Sequence, residues 1–216
     1  MTSLIFQQIL DTKDKYCDGA MLIYIEAFPP SERQPLAKIS ERIAAGKSQL
    51  FVGIIDKEVS CMALLWDFSN TDFTLLDYMA VAEKHQNKNF GSKLFQFLVD
   101  KVKSNHKFLL LEVENYLFGD NREQRKKRIN FYLKNGSYLL GNVPYMLPAL
   151  DNSLPLEMLL MISPKHKSTH LNKSEIEILI KRLYQEIYEK SENDVLLVSV
   201  LKKIPTKINL VNKMIG

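Results

Sequence analysis

Apolar positions recur every second residue in some runs of this chain and every three to four in others, and the order of the two periods outlines an architecture. Residues 4–10 predict a first strand. Residues 16–28 have helical spacing, with Met21, Leu22, Ile25 and Phe28 on one side, and Pro29-Pro30 stops that helix. A second helix is predicted over 35–45, ending at Gly46. Two strands follow, 49–55 and 59–68, joined by Asp56-Lys57-Glu58, and a turn over 69–72 leads into a strand over 74–81. A helix over 91–102, ending near Asn105, and an apolar strand over 108–113 then complete a strand–helix–strand crossover of the right-handed, parallel kind. Residues 122–134 predict a helix closed by Asn135-Gly136 as a left-handed C-cap, and strands are predicted over 138–140 and 155–162. The class is α/β (α+β): a mixed sheet of about seven strands with helices on both faces.

The character changes after Ile162. Residues 163–170 are polar and linker-like. A helix is predicted over 173–190, its stripe made of Ile176, Leu179, Ile180, Leu183, Tyr184 and Ile187. Glu192-Asn193-Asp194 breaks it before a short apolar run over 195–201. The expected organisation is one domain over 1–163 and a C-terminal helical extension over 164–216, packed on that core or in a homodimer.

Composition narrows the chemistry. The chain has 216 residues, 46% hydrophobic and 25% charged, enough for one substantial core. A net charge of +4 suits a small polyanionic ligand and is too weak to argue for nucleic acid. The basic run Arg122, Arg125, Lys126, Lys127, Arg128 is interrupted by Glu123 and Gln124 and reads as a solvated helix face. Cys17 and Cys61 are expected as core filler in a reducing compartment, and the four histidines lack metal-ligand spacing. The N-terminus lacks a signal-peptide pattern and no apolar run approaches membrane-spanning length, so the expected location is cytoplasmic and off the membrane.

The most specific signal lies between the strand ending at Val81 and the helix opening at Gly91. The connection reads Gln86-Asn87-Lys88-Asn89-Phe90-Gly91-Ser92. A strand feeding a helix through such a turn presents unpaired backbone N–H groups at the helix's positive end, a ready site for pyrophosphate. Gln-x-x-Asn-x-Gly-Ser resembles the Gln/Arg-x-x-Gly-x-Gly/Ala signature of the GCN5-related N-acetyltransferase (GNAT) superfamily. Asn89 stands where that signature has glycine, and Asn is the side chain that best tolerates a left-handed backbone there. The strand end Leu76-Asp77-Tyr78-Met79-Ala80-Val81 resembles the family's as well. So does Asn130-Phe131-Tyr132 followed by Gly136-Ser137-Tyr138, one residue displaced from the usual spacing. Residues 27–35 and 143–148 are similar to segments of a bacterial branch.

The resemblance covers about residues 1–162. It implies a mostly antiparallel GNAT sheet and acetyl-CoA as co-substrate. It implies that the backbone of Met79, Ala80 and Val81 pairs with the pantetheine and that Gln86, Asn87, Lys88, Asn89, Phe90, Gly91 and Ser92 hold the pyrophosphate. Lys84, Lys88 or Lys93 would reach the 3′-phosphate, and His85 is expected to be exposed. Asn115 would touch the pantetheine or a water, and an insertion over 116–125 separates it from Tyr132, the phenol that would protonate the leaving thiolate. Phe28 and Glu32 would lie at the acceptor.

Acetyl transfer to an amine needs a proton acceptor. Alternation puts Glu112 and Glu114 on one face of their strand, with Val113 opposite. Glu114 is the preferred base or amine-binding carboxylate, Asp77 the runner-up, and Glu112 a further carboxylate for a cationic amine. The resulting expectation is direct acetyl transfer to a small-molecule or protein amine without metal. The alternative is a coenzyme-binding regulatory module impaired by Asn89 and the insertion.

Overall fold

Strand alternation in the first third of the chain becomes an antiparallel meander. The computed structural model describes residues 3–149, 154–163 and 170–214, in two units. The first comprises Met1–Ser69 and Thr74–Asn105, the second residues 70–73 and 106–216. In the first unit β1 (Ile5–Ile9) pairs with β2 (Ser48–Ile55), β2 with β3 (Glu58–Asp67), and β3 with β4 (Phe73–Val81), all antiparallel. Asp56 and Lys57 both adopt left-handed φ, 50° and 66°, the conformation whose twist matches a tight hairpin. Glu58, expected in the turn, instead pairs with Ile55 as the first residue of β3.

Helices cover both faces of this meander, which is why β2 and β3 read as nearly continuous apolar runs. Leu50, Val52, Ile54, Met62 and Leu64 pack with Ile23 and Tyr24 of α1 (Cys17–Ala27) and with Ile39 and Ile43 of α2 (Leu36–Ala44). Phe6 and Phe51 meet Phe97 of α3 (Phe90–Ser104) on the other face, at 4.9 and 5.9 Å between ring centroids. Burial of each Ile in this core contributes roughly 1.5–3 kcal/mol. Gly53 leaves room for the Cys61 thiol, which any Cβ there would strike. Both cysteines are buried and free.

The face of α1 differs from the expected one. Cys17, Ala20, Ile23 and Tyr24 are buried, whereas Leu22 is 60% and Ile25 39% exposed. Spacing of i, i+3, i+4 fits either stripe, and packing on the neighbouring strands selects this one, with Met21 and Phe28 of the expected stripe partly buried against it.

In the second unit the strands are β5 (Phe108–Glu114), β6 (Tyr138–Leu140), β7 (Tyr145–Leu147), β8 (Leu156–Ser163), β9 (His170–Asn172) and β10 (Lys207–Val211). β8 is central: β5 pairs along one side, β6 and β7 along successive parts of the other, all antiparallel. β10 continues from β6 and β9 from β10. The helices are α4 (Arg122–Lys134), α5 (Lys173–Arg182) and α6 (Val195–Lys202).

Ten strands are present among the described residues, against about seven expected. β7, β9 and β10 are three to five residues long, too short for a period to announce them, and β9 and β10 find their partners far along the chain. The expected C-terminal extension thereby contributes β10 to the sheet, and its apolar run over 195–201 is helical. Asn172 and Glu175 form a capping box at the start of α5. The predicted helix over 173–190 stops short: its last turn, Leu183–Ile187, widens to a π-helix and the chain turns at Glu189, φ 55°. All six residues of the predicted stripe are buried. Of the expected linker over 163–170, Ser163 ends β8 and His170 begins β9, and residues 164–169 lie outside the described residues.

Candidate functional site

Asn89 is left-handed (φ 62°, ψ 15°) and serves as the N-cap of α3 without a capping side-chain hydrogen bond. Asn87 is left-handed too, φ 61°. The first helix-type bond runs from Lys93 N–H to Asn89 O at 3.1 Å, so the N–H groups of Phe90, Gly91 and Ser92 point out of the helix end. An uncapped 15-residue helix presents its partial positive charge at this loop. Donors and dipole together fit a phosphate-type anion. His85 is not exposed as expected: it stacks on Phe90 at 5.5 Å, and burial, followed by Lys88 and Lys84, lowers its pKa. Lys84 forms an ion pair with Glu58, while Lys88 and Lys93 stay exposed.

Just upstream, β4 carries a bulge. Leu64 pairs with Tyr78 and Leu65 with Leu76, so Asp77 is the extra residue, and its side chain is re-aimed by the local kink. Met79, Ala80 and Val81 resume regular pairing with Ala63, Met62 and Cys61. The Asp77 side chain is 12% exposed, and burial pushes its pKa up to about 6, opposed by the Arg42 guanidinium. Arg42 Nη1 stands 4.0 Å from Asp77 Oδ2, and neither atom has a hydrogen-bond partner among the described residues.

Around this pair the first unit gathers aromatic rings. Tyr78 packs edge-on against Tyr24 at 4.8 Å and Phe28 at 5.0 Å. Its hydroxyl donates to Glu32 O at 2.9 Å, and Tyr24 donates to Gln34 O at 3.1 Å. Burial raises the pKa of both phenols, so both stay protonated. Phe28, Glu32 and Asp77, singled out from sequence for the acceptor, thus fall in one neighbourhood, Glu32 through its carbonyl.

The carboxylates of the second unit have other partners. Glu114 meets Arg125 Nη2 at 2.8 Å through Oε1 and Arg128 Nη1 at 3.2 Å through Oε2. Both oxygens of Glu114 are thus engaged by guanidinium groups. Glu112 accepts hydrogen bonds from Tyr145 at Oε1 and from Tyr188 at Oε2, the latter at 2.7 Å. Asn115 is 5% exposed and turned to its own surroundings: its amide donates to Glu157 Oε1 at 3.0 Å and its oxygen accepts from Leu117 N–H at 3.1 Å. Those bonds compete with the cofactor contact expected of Asn115. Arg125 also donates to the Asn115 and Phe118 carbonyls, clamping the inserted loop at Gly119, whose φ is 70°. Tyr132 is partly buried near the end of α4, and desolvation, partly offset by Arg128, raises its pKa.

Sequence reasoning passed over Arg42, Trp66, Tyr24 and Tyr78. Arg42 did leave a signal, an arginine at the i+3 place of the α2 stripe between Ile39 and Ile43. Among the described residues no group of three or more His, Cys, Asp or Glu stands together as metal ligands, and no helix is long and apolar enough to cross a membrane.

Comparison with known proteins places residues 46–136 on the family model described as Acetyltransferase (GNAT) domain. No curated protein sequence matches. Solved structures match widely. A GNAT-family protein from Bacteroides thetaiotaomicron is 24% identical, with TM-score 0.72 over 87% of this chain and 99% of that one. The yncA protein of Salmonella typhimurium, solved with its cofactor acetyl-CoA, is 16% identical with TM-score 0.56, covering 77% and 96%. The ribosomal-protein-S18-alanine N-acetyltransferase of Escherichia coli is 15% identical with TM-score 0.52, covering 77% and 96%. At these identities the likeness is one of fold, and the mostly antiparallel sheet with its helices is that fold.

Proposed function

From the premise that the chain belongs to the GNAT superfamily of acetyltransferases, we propose that it moves an acetyl group from acetyl-CoA to a primary amine by direct attack. The observation that carries this reading is the open N-terminus of α3 with left-handed Asn89 at its mouth. Backbone N–H groups over 86–92 hold the pyrophosphate in this proposal, and the backbone of Met79, Ala80 and Val81 holds the pantetheine. Asn89 supplies the left-handed turn that glycine usually supplies, at the expense of a side chain beside the phosphate.

Acetyl-CoA supplies an activated thioester and a thiolate leaving group. Asp77 takes the amine proton in this reading, in place of Glu114, because Asp77 Oδ2 accepts no hydrogen bond among the described residues, whereas both oxygens of Glu114 are paired. A backbone N–H near Val81 steadies the negative charge that develops on the acetyl oxygen. Tyr132, kept protonated by burial, holds the proton for the departing sulfur. Phe28, Tyr24 and Tyr78 wall the acceptor, with Glu32 as an exposed carboxylate in the same segment. Glu112, gripped by two phenols, anchors the C-terminal helix rather than the acceptor.

The test pairs acetyl-CoA titration by calorimetry with thiol release across pools of amino acids, polyamines, aminoglycosides and peptides. Binding with release in one pool supports the reading, and absence of binding overturns it. Binding without release from any pool would leave a coenzyme-binding module. Tyr132→Phe is expected to lower kcat by about 10- to 100-fold while acetyl-CoA affinity holds. Unchanged kcat would remove the phenol from the mechanism.

A further inference from the structure

Arg42 lies on the inward face of α2 between Ile39 and Ile43, and only 7% of its side chain is exposed. A guanidinium buried this far needs a partner to offset its desolvation. It has two partial ones. Its Cζ sits 5.0 Å from the Trp66 ring centroid, a cation–π contact, and its Nη1 sits 4.0 Å from Asp77 Oδ2. A direct N–H···O bond needs about 3.2 Å or less, so the pair attracts across a gap without bonding. The contrast with Glu114 is chemical. Arginine bound to both oxygens occupies a carboxylate's lone pairs, whereas arginine held off by a ring supplies charge and leaves Oδ2 open to a proton.

Resting on the reading of Asp77 as proton acceptor, we propose that Arg42 is the positioning residue for that carboxylate. Stacked on Trp66, it keeps Asp77 ionised and in place without donating a hydrogen bond to Oδ2. Within this unit the titratable groups facing Asp77 are Arg42 from α2, Tyr24 from α1 and Tyr78 from β4 itself. Beside it β3 brings Leu64, Leu65 and Trp66, none of which titrates. Both phenols stay protonated, so Arg42 is the charge that opposes the burial of Asp77.

The test reads the Asp77 carboxyl directly by carbon-13 NMR titration of the free protein, and separately the acidic limb of thiol release with the amine pool that responds. In Arg42→Gln the Asp77 midpoint is expected to rise by at least about one pH unit, a tenfold change in proton affinity, with the acidic limb following. Arg42→Lys keeps the charge and is expected to recover most of that shift. An unmoved midpoint in Arg42→Gln, or an equal shift in both variants, overturns the inference. Should Arg42→Gln not fold, the wild-type protein decides: the Arg42 side-chain nitrogen-15 signals follow the Asp77 midpoint, and a flat response overturns the coupling. A midpoint that moves while the acidic limb stays put supports the Arg42–Asp77 coupling and sinks only Asp77 as the proton acceptor.

Discussion

Asp77 and Glu114 are both strand carboxylates with arginine neighbours, yet the arginines engage them in different ways. Glu114 sits at the end of β5 with a guanidinium on each oxygen, one of which also clamps the inserted loop. Its charge is structural. Asp77 sits in a bulge, faces one guanidinium across 4.0 Å and titrates near 6. Charge type and counter-charge alone do not say how a carboxylate is engaged; the distance and the number of donated hydrogen bonds do.

The sharpest way to break this comparison is to neutralise each carboxylate in turn. Asp77→Asn is expected to reduce kcat/KM for thiol release by about 10²- to 10⁴-fold, the usual worth of a general base. A loss as large in Glu114→Gln, with Asp77→Asn near wild type, would invert the assignment.

Stability should move the other way. The folded-state pKa of Asp77 lies above its ordinary 3.8, so the folded protein binds the extra proton between about pH 4 and 6 and loses stability as pH rises through that window. The full penalty, on the order of 3 kcal/mol, is present above pH 6. Asp77→Asn should therefore raise Tm at pH 8 and leave it nearly unchanged at pH 4. An equal change at both pH values would mean that the Asp77 charge carries no such penalty.

Glu114→Gln should cost roughly 1–3 kcal/mol by leaving Arg125 without its ion pair, and hydrogen exchange over 116–121 should quicken. Unaltered denaturant midpoint and exchange would show that the clamp is ornamental. The smallest effect belongs to Asn89→Gly, which keeps the left-handed turn and should change acetyl-CoA affinity less than about threefold. Asn89→Val, by contrast, should destabilise the loop by about 1–2 kcal/mol and weaken binding measurably by calorimetry.

Much of this was legible in the chain. The residue 86–92 connection, the left-handed tolerance of Asn89 and the C-cap at Gly136 are local facts, because backbone conformation over four to seven residues depends on those residues. The six-residue stripe of the C-terminal helix was readable for the same reason. The buried face of α1 was not, since two stripes satisfied one period and the neighbouring strand chose between them. The short strands β7, β9 and β10 were missed because three to five residues carry too little pattern, and β9 and β10 form only through partners tens of residues away. Arg42 left a trace, but a charge on an apolar stripe says nothing about which carboxylate it will meet.

Sequence alone determined the order of the longer helices and strands, the anion-ready helix start and the residue types available for proton transfer. Those follow from periodicity, propensity and backbone sterics, all short in range. Only the tertiary structure decided which carboxylate is paired on both oxygens and which faces its arginine across a gap. Pairing and desolvation act through space: within the first unit the bulge at Asp77 and the Trp66 ring beside Arg42, and within the second the two arginines around Glu114, each form only when separate elements pack.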